Sequence, residues 1–599
     1  MEAKQPAQMM MIFTIGPVQD FIAQARKTRD LWFGSYLLSE LSKEAAYRLQ
    51  ERGGELVFPY LHDEIQRESL RVANKILGIV PTNNPKQIAL DVRQAVMDYW
   101  KGCTKKVMNE LGWSINPAMW KRQISDFIEF NAVWSELPNP GDYSAVLRKT
   151  ENLLAARKTL RDFQQNEPGL QFGEKKSSLD GGRESVLLPA RFEDYARFGI
   201  KKSETLDAIS LVKRLSRYVM DTPAFPSVCD IAFRNFEKEI NDNEKLKSAV
   251  SSYLADIHTK YRETFKFNFN AYDSRLFFEN RIEDFIEENT RKGVRLDEKD
   301  RQRVINDISV RLGMLFEKNK RPTSYYAFLL CDGDRMGEHL RKLESIHSHK
   351  EFSRHLSQFA SEAKRIVEKY DGELVYSGGD DVMAYLPLYS CLRAGDELRK
   401  SFAAIMRKAV PSDRQPTLSV GVAVVHMLER LGEVRRLALE AEKLAKKNRD
   451  ELAIIIHKRN GSDLMKISLP FRSDPVAKLT SIQLVYLKGI FSGKFAYELR
   501  DLHDEYQSLV RHSSWMSEEA TLRDLLLQEA KRLAFKKKPE NVSKQEVEQE
   551  LIEPIINNAF NSDQAPLEQL RVLAEQAIIA VMLVQEGSFN EKALADSAG

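Results

Sequence analysis

Tyr376-Ser-Gly-Gly-Asp-Asp-Val382 and, upstream of it, Cys331-Asp-Gly-Asp-Arg-Met-Gly337 decide how this chain reads. Tyr325 to Cys331 (YYAFLLC) is an apolar run of strand length that ends at Asp332. Glu373 to Tyr376 is a second such run, and Val382 to Leu386 a third. Ser377-Gly378-Gly379-Asp380 between the last two predicts a short hairpin, because glycine accepts the positive φ that such turns need. The hairpin tip then carries Asp380 and Asp381. If the strand from Tyr325 lies beside it, Asp332 joins them. Three carboxylates on one sheet edge repel one another and raise each other's pKa. A divalent cation relieves that repulsion, and Mg²⁺ is commonly shared between carboxylates and substrate phosphates. Two such ions clamp the attacking and leaving oxygens of a nucleotidyl transfer. Gly-Gly-Asp-Asp alone also suits an acidic surface turn; the upstream Asp at a strand end favours the metal reading.

Working outward, the same order of elements occurs twice. Met9 to Ile15 predicts a strand, Gly16-Pro17 breaks it, helical patterns run from Val18 to Arg29 and Leu31 to Leu49, and Gly54 to Pro59 predicts another strand. Gly54-Glu-Leu-Val-Phe58 matches Gly372-Glu-Leu-Val-Tyr376. Gly16 and Gly54 are 38 positions apart, and Asp332 and Gly372 are 40 apart, so two copies of one βαβ-containing unit are expected. In the first copy Gly16 stands where Asp332 stands, and the acids are gone. That copy is expected to bind no metal.

The second copy continues with Phe352, Leu356, Phe359, Ile366 and Tyr370 at helical spacing. A helix from Cys391 to Lys408, a strand from Thr417 to Val425, a helix from Leu431 to Asn448 and a strand at Ile454–Ile456 follow. The order βαββαβ with a further helix and strand is that of a ferredoxin-like palm. Lys443, Lys446, Lys447 and Arg449 at the last helix end complement the helix dipole; the alternative is that Lys446 reaches a triphosphate. Residues 86 to 168 read as helices broken by Pro, Asn and Gly, and Gly173 to Gly182 reads as a loop. Leu206 to Met220 reads as a helix bearing Lys213, Arg214 and Arg217. Residues 233 to 320 are charged and helical, either a solvated face or one that meets RNA. From Ile482 to Val584 only helices are expected, with a loose tail after Glu586. At 599 residues, about four domains are expected. They are 1–200 (degenerate first palm with a helical insertion), 201–320 (helical), 321–470 (second palm) and 471–599 (C-terminal helices).

Bulk properties exclude some classes. With 43% hydrophobic and 30% charged residues, the composition is that of a soluble globular protein. A net charge of +3 neither argues for nor excludes nucleic acid. No apolar run is long enough to span a membrane, and no signal peptide is read. Cys103, Cys229, Cys331 and Cys391 lie far apart without a CxxC, so neither a zinc knuckle nor a disulfide framework is expected. A reducing cytoplasmic setting is expected.

These residues resemble a family. Ile15-Gly-Pro-Val-Gln-Asp-Phe-Ile22 with Arg26-Lys-Thr-Arg-Asp-Leu-Trp-Phe-Gly-Ser35, then Leu206-Asp-Ala-Ile209, Phe225-Pro-Ser227, Asp332-Gly-Asp-Arg-Met-Gly337 and Gly378-Gly-Asp-Asp381, are similar to the large subunit of type III CRISPR effector complexes, the CRISPR polymerase family. The nearest branch is the Cmr type (III-B), of prokaryotes. The resemblance implies an α+β fold: two ferredoxin-like, nucleotidyl cyclase-like palms, an inserted helical domain and a C-terminal helical bundle. It implies a target-RNA-activated, Mg²⁺- or Mn²⁺-dependent nucleotidyltransferase of antiviral defence that makes cyclic oligoadenylate messengers from ATP. Partners would be other Cmr-type subunits, guide RNA and target RNA. Asp332, Asp380 and Asp381 would hold the metals, and Gly333, Ser377, Gly378, Gly379 and Lys446 would bind the nucleotide. Ala438, Ala441 and Ala445-Lys446 fall at the spacing of the phosphate-contacting helix of diguanylate cyclases. Two alternatives stay open: a non-catalytic scaffold holding guide and target RNA, or the same site joining AMP to another small acceptor. A stand-alone diguanylate cyclase fits less well, given the extra palm and helices. Many family members carry an HD nuclease domain; the first palm begins near residue 9, so no HD nuclease activity is expected. His62-Asp63 and His503-Asp504 read as isolated surface pairs. Ser177 and Asp180 stand where relatives have zinc-binding cysteines, so no zinc is expected.

Overall fold

The computed structural model describes residues 6–60, 72–160, 175–220, 222, 224–268, 271–291, 293–410, 415–459, 464–512 and 519–587. His62-Asp63, the first residues of the 173–182 loop and the tail after residue 587 lie outside these.

Two sheets organise the chain. The first contains β1 (Gln8–Gly16), β2 (Glu55–Phe58), β3 (Lys75–Pro81) and β4 (Glu129–Glu136) in the order β2-β3-β1-β4. The second contains β5 (Tyr325–Gly333), β6 (Glu373–Ser377), β7 (Val382–Leu386), β8 (Leu418–His426), β9 (Glu451–His457) and β10 (Met465–Pro470) in the order β10-β9-β8-β5-β7-β6. Without its last two strands the second sheet runs β6-β7-β5-β8, the order of the first. The pairings of these four are antiparallel in both sheets. Even an irregularity repeats: register shifts between Leu56 and Phe58 in β2 and between Leu374 and Tyr376 in β6. The repeated unit expected from sequence is present and is larger than the matched letters.

The helices that matter for the site are α1 (Thr28–Glu51), α2 (Tyr143–Thr159), α3 (Ala208–Arg214), α4 (Val228–Asp242), α5 (Ile346–Lys369), α6 (Cys391–Met406) and α7 (Leu431–Asn448). Phe352, Leu356, Phe359 and Ile366 of α5 are buried at helical spacing, capped by Ser345. The two palms pack reciprocally, α1 against β6 and α5 against β2. Across this interface the Tyr143 hydroxyl and His349 Nδ1 lie 2.6 Å apart. Burial lowers the His349 pKa to about 4, so at neutral pH the pair is a neutral hydrogen bond.

Three strands lie outside the sequence reading. Residues 86–168 were expected to be helices, yet β4 lies among them and pairs with β1 from Met9–Glu136 to Gly16–Glu129. Its Phe-Asn-Ala-Val-Trp-Ser core (residues 130–135) is short, and helices flank it on both sides. β3 and β10 complete the sheets at edge or near-edge positions. The register also moves one correspondence. Ile12 pairs with Leu77 as Leu330 pairs with Met383. Counting on from these pairs, Thr14 and not Gly16 occupies the place of Asp332, while Asn74 and Lys75 occupy those of Asp380 and Asp381.

The C-terminal region is helical as expected, ending in Lys494–His512, Glu519–Lys537 and Pro566–Gly587, with a π-helical stretch at Glu548–Asn557. His503 there is buried, not a surface residue, and its Nδ1 is 2.9 Å from Asp504. Among the described residues no helix is long and apolar enough to cross a membrane.

Lys213 and Arg214 face inward rather than toward a polyanion. Lys213 Nζ donates to the carbonyls of Phe21 (2.6 Å) and Gln24, and Arg214 pairs with Asp30 (2.9 Å) and Glu204 (3.3 Å), all buried. Burial of Asp30 opposes its ionisation, but Arg214 overrides that and holds its carboxyl below the usual range. Asp30→Ala leaves a buried guanidinium half-paired, so denaturant titration is expected to show a loss of about 3 kcal/mol. A change under about 0.5 kcal/mol would mean that Glu204 alone satisfies Arg214.

Candidate active site

β5 is buried along most of its length and pairs with β7 and β8. It therefore delivers Asp332 to the sheet end where the β6–β7 turn delivers Asp380 and Asp381. One oxygen from each of these three carboxylates lies within 4.8 Å of the others. Asp332 and Asp380 are half-buried and Asp381 is open to water. Hard oxygen donors at this spacing suit a divalent cation. The three acids identified from sequence are thus brought together by the fold.

The turn geometry explains its glycines. Gly379 has φ +106°, a conformation L side chains rarely adopt. The Gly378 amide closes the turn on the Asp381 carbonyl at 3.1 Å. Tyr376 folds back across Gly378, where a Cβ would lie 1.7 Å from its hydroxyl. Burial, then Asp381 and Asp380, push the Tyr376 phenol up. Ser377 is fully buried, and its hydroxyl has no protein partner. Gly333 abuts Asp380, whose Cβ would be 2.8 Å from a Cβ at 333.

Lys446 reaches the cluster from α7. Its ammonium pairs with the Asp332 carboxylate and lies 3.6 Å from Glu442. The sequence sets this approach. Ala438, Ala441 and Ala445 are small and fully buried, and Gly421 of β8 has no room for a Cβ, which would lie 2.3 Å from the Glu442 amide nitrogen. A larger side chain at 421 would push α7, and Lys446 with it, off the sheet.

Two acids near the cluster were not picked out from sequence. Asp334 is buried and fully engaged: its carboxylate accepts from Thr417 Oγ1 (2.7 Å), Ser419 Oγ (2.8 Å) and the Asp450 amide (3.1 Å). It braces the loop after β5 rather than facing a ligand. Glu442 sits beside the site, its carboxyl pushed up by burial and then by Asp381. Only the α7–β8 approach reveals it; its letters alone read as an i,i+4 partner of Lys446.

Burial and, after it, the Asp381 charge push the Asp380 carboxyl well above the usual carboxylate range; burial does the same to Asp381. Water reaches Asp381, but protein crowds its other sides. A carboxyl whose pKa rises on folding stabilises the fold while protonated, and that stability is lost as pH rises through the raised value. Without divalent cations, the melting temperature is therefore expected to fall as pH rises from about 4 toward neutrality. Asp380→Asn with Asp381→Asn should flatten that fall, and a flat wild-type profile would contradict it.

In the first palm the matching positions hold Thr14, Asn74 and Lys75. Thr14 Oγ1 is buried without a partner, Asn74 donates to the Ile15 carbonyl (3.3 Å), and Lys75 pairs with Glu151 at 2.6 Å. That edge lacks the acid set. Ser177 and Asp180 serve the insertion: the Ser177 hydroxyl donates to Asp207 at 2.7 Å, and Asp180 pairs with Arg183. A concavity of about 2000 Å³ lies between Ala23–Arg29, the helical insertion and Met427–Glu433, and none of the three acids lines it.

Both palms have counterparts among known proteins. A model of the Cas10/Cmr2 second palm domain matches residues 325–453, and a model of the N-terminal part of the CRISPR-associated protein Cmr2 matches residues 10–105. The CRISPR system Cmr subunit Cmr2 of Pyrococcus furiosus is 25% identical over 558 residues, taking in 75% of this chain and 61% of the relative. The chain thus spans about three-fifths of that relative. A type III-B Cmr-beta structure in the apo state superposes with a TM-score of 0.61 at 13% identity, covering 96% of this chain and 82% of the other. Cmr-beta bound to cognate target RNA gives 0.57 at 14% identity over 90% and 80%. At these identities the structures establish the fold. The paired palms, the matched models at both of them and the Cmr2 relative support the large subunit of the Cmr type (III-B) as what this chain is similar to.

Proposed function

We propose that this protein is the nucleotidyltransferase subunit of an RNA-guided antiviral complex, activated by target RNA and converting ATP into cyclic oligoadenylates. The observation that carries this is the convergence of Asp332, Asp380 and Asp381 at one sheet end with Lys446 against Asp332. The matches to the Cas10/Cmr2 second palm and to the Cmr2 N-terminal part support the substrate and the partners: other Cmr-type subunits, guide RNA and target RNA. The likeness of fold to a complex bound to cognate target RNA is consistent with an RNA-loaded assembly.

Asp332, Asp380 and Asp381 would hold Mg²⁺ or Mn²⁺, the Gly333 carbonyl helping. When bound, such ions lower the pKa of an attacking hydroxyl and offset charge on the leaving pyrophosphate. The chain's own residues do the rest. The Gly378–Gly379 turn presents backbone with no side chain in the way of a triphosphate. Lys446, released from Asp332, turns its ammonium to the phosphates. The first palm, with Thr14, Asn74 and Lys75 in place of acids, presents the acceptor nucleotide across the interface. Holding donor and acceptor in line removes several kcal/mol of barrier. Since the acceptor is chosen outside the acidic hairpin, the same chemistry serves a different small acceptor equally well.

Mass spectrometry of products from the RNA-loaded complex tests this, with Mg²⁺ and ATP alone or with ATP and cell extract. Cyclic oligoadenylates from ATP alone are expected. An adenylated conjugate found only in extract would replace the product and keep the site. No ATP consumption in either case would leave the RNA-holding scaffold.

A further inference from the structure

The β6–β7 hairpin carries two of the three acids at its tip, and its base is tied by a knot from the helical insertion. Asp371, at φ +55°, precedes β6, and Tyr389 follows β7. Arg234 of α4 donates to the Asp371 carbonyl and to the Glu373 carboxylate. One turn on, Lys238 Nζ reaches Asp371 Oδ2 at 2.6 Å and lies 4.7 Å from the centre of the Tyr389 ring. The Tyr389 hydroxyl donates to the same Asp371 oxygen. Both legs of the hairpin are thus fastened to one face of α4. α4 is itself set firmly: Ser227 and Asp230 form its capping box, Ser274 holds Asp230, and the helix packs on β5 and β7. Beyond the knot, α5 supports the tip where a Cβ on Gly379 would lie 3.9 Å from Leu356.

We propose that Arg234 and Lys238 are positioning residues for the acidic hairpin, coupling the helical insertion to the spacing of Asp380 and Asp381 from Asp332. The consequence for catalysis rests on the function proposed above; the mechanical coupling does not. Neither residue reaches the acids, so both act through the hairpin. A displaced insertion would tilt the legs and open the carboxylate cluster, and a shift of about 1 Å there is enough to cost about a hundredfold in rate. The insertion thereby becomes an element through which an event elsewhere in an assembly reaches the acids.

The test uses the full-length chain carrying Arg234→Gln with Lys238→Gln. Hydrogen exchange at residues 376–383 is expected to speed up at least about fivefold, with β8 and β9 unchanged as reference. In the assembled complex, kcat for ATP consumption is expected to fall at least about tenfold with KM for ATP within about twofold. Arg234→Lys should recover part of the kcat. If the double variant misfolds, Tyr389→Phe, which removes one hydroxyl, should show the same changes at smaller size. Wild-type exchange at 376–383 in a folded variant overturns the coupling, and faster exchange with unchanged kcat overturns the positioning role. A wild-type complex that consumes no ATP counts against the proposed function instead, and the coupling then stands or falls on exchange alone.

Discussion

Asp380→Ala with Asp381→Ala is expected to lower nucleotide synthesis by more than about a hundredfold, because loss of even supporting ligand contacts costs about ten- to a hundredfold at metal sites. The fold should survive. Both residues lie in a turn at a sheet end, and metal-free they are carboxyls that burial holds above the ordinary range, with the Asp381 charge adding to the effect at Asp380. Removing them relieves a cost, so the double variant should melt at or above the wild-type temperature at neutral pH without divalent cations. It should also still assemble with RNA. Product formation at the wild-type rate would move the chemistry away from the hairpin altogether.

Lys446→Ala is expected to have two effects of opposite sign. In the free chain the ammonium occupies Asp332, the carboxylate that a metal also needs. Without Lys446 that competition ends, and Mn²⁺ affinity, followed by titration calorimetry, should tighten about threefold or more. Turnover should nevertheless fall about ten- to a hundredfold, because the charge proposed to turn to the phosphates is gone. Lys446→Arg should restore little. The guanidinium is a planar fork rather than a compact point charge, and α7 lies too close to β8 at Gly421 to adjust. Metal affinity and rate falling together would make Lys446 a structural support of the acid cluster.

Local features made the acidic sheet end legible in the sequence. An apolar run closed by Asp332, two glycines between two short apolar runs, and a small-residue stripe on α7 each depend on residues a few positions apart. β4 was not legible because its six-residue core lies among helical patterns, and only pairing with β1 makes it a strand. The same non-local pairing set the correspondence of the palms. The Gly-Glu-Leu-Val match aligned β2 with β6 correctly, but the counterpart of Asp332 depends on how β1 registers against β3. That shifted it from Gly16 to Thr14. Glu442 and Tyr376 were hidden for a related reason. Glu442 nears the acids only because α7 crosses β8 at Gly421, and Tyr376 only because its ring folds over Gly378. The buried Asp334, with three hydrogen bonds, shows the converse. Its letters are indistinguishable from those of Asp332 two positions earlier, and alternation along a strand would put both on one face; the strand ends at Gly333, and Thr417, Ser419 and the Asp450 amide hold Asp334 in a different task.

Asp332, Asp380 and Asp381 are proposed as one divalent-cation site at which ATP is consumed. Anomalous diffraction from crystals soaked with Mn²⁺ and a non-hydrolysable ATP analogue tests it most directly. Anomalous density is expected about 2.0–2.2 Å from an oxygen of each of the three carboxylates, with Lys446 turned from Asp332 to the analogue's phosphates. Mn²⁺ bound elsewhere, or an analogue bound while Lys446 stays on Asp332 and no metal density lies at the acids, would contradict it.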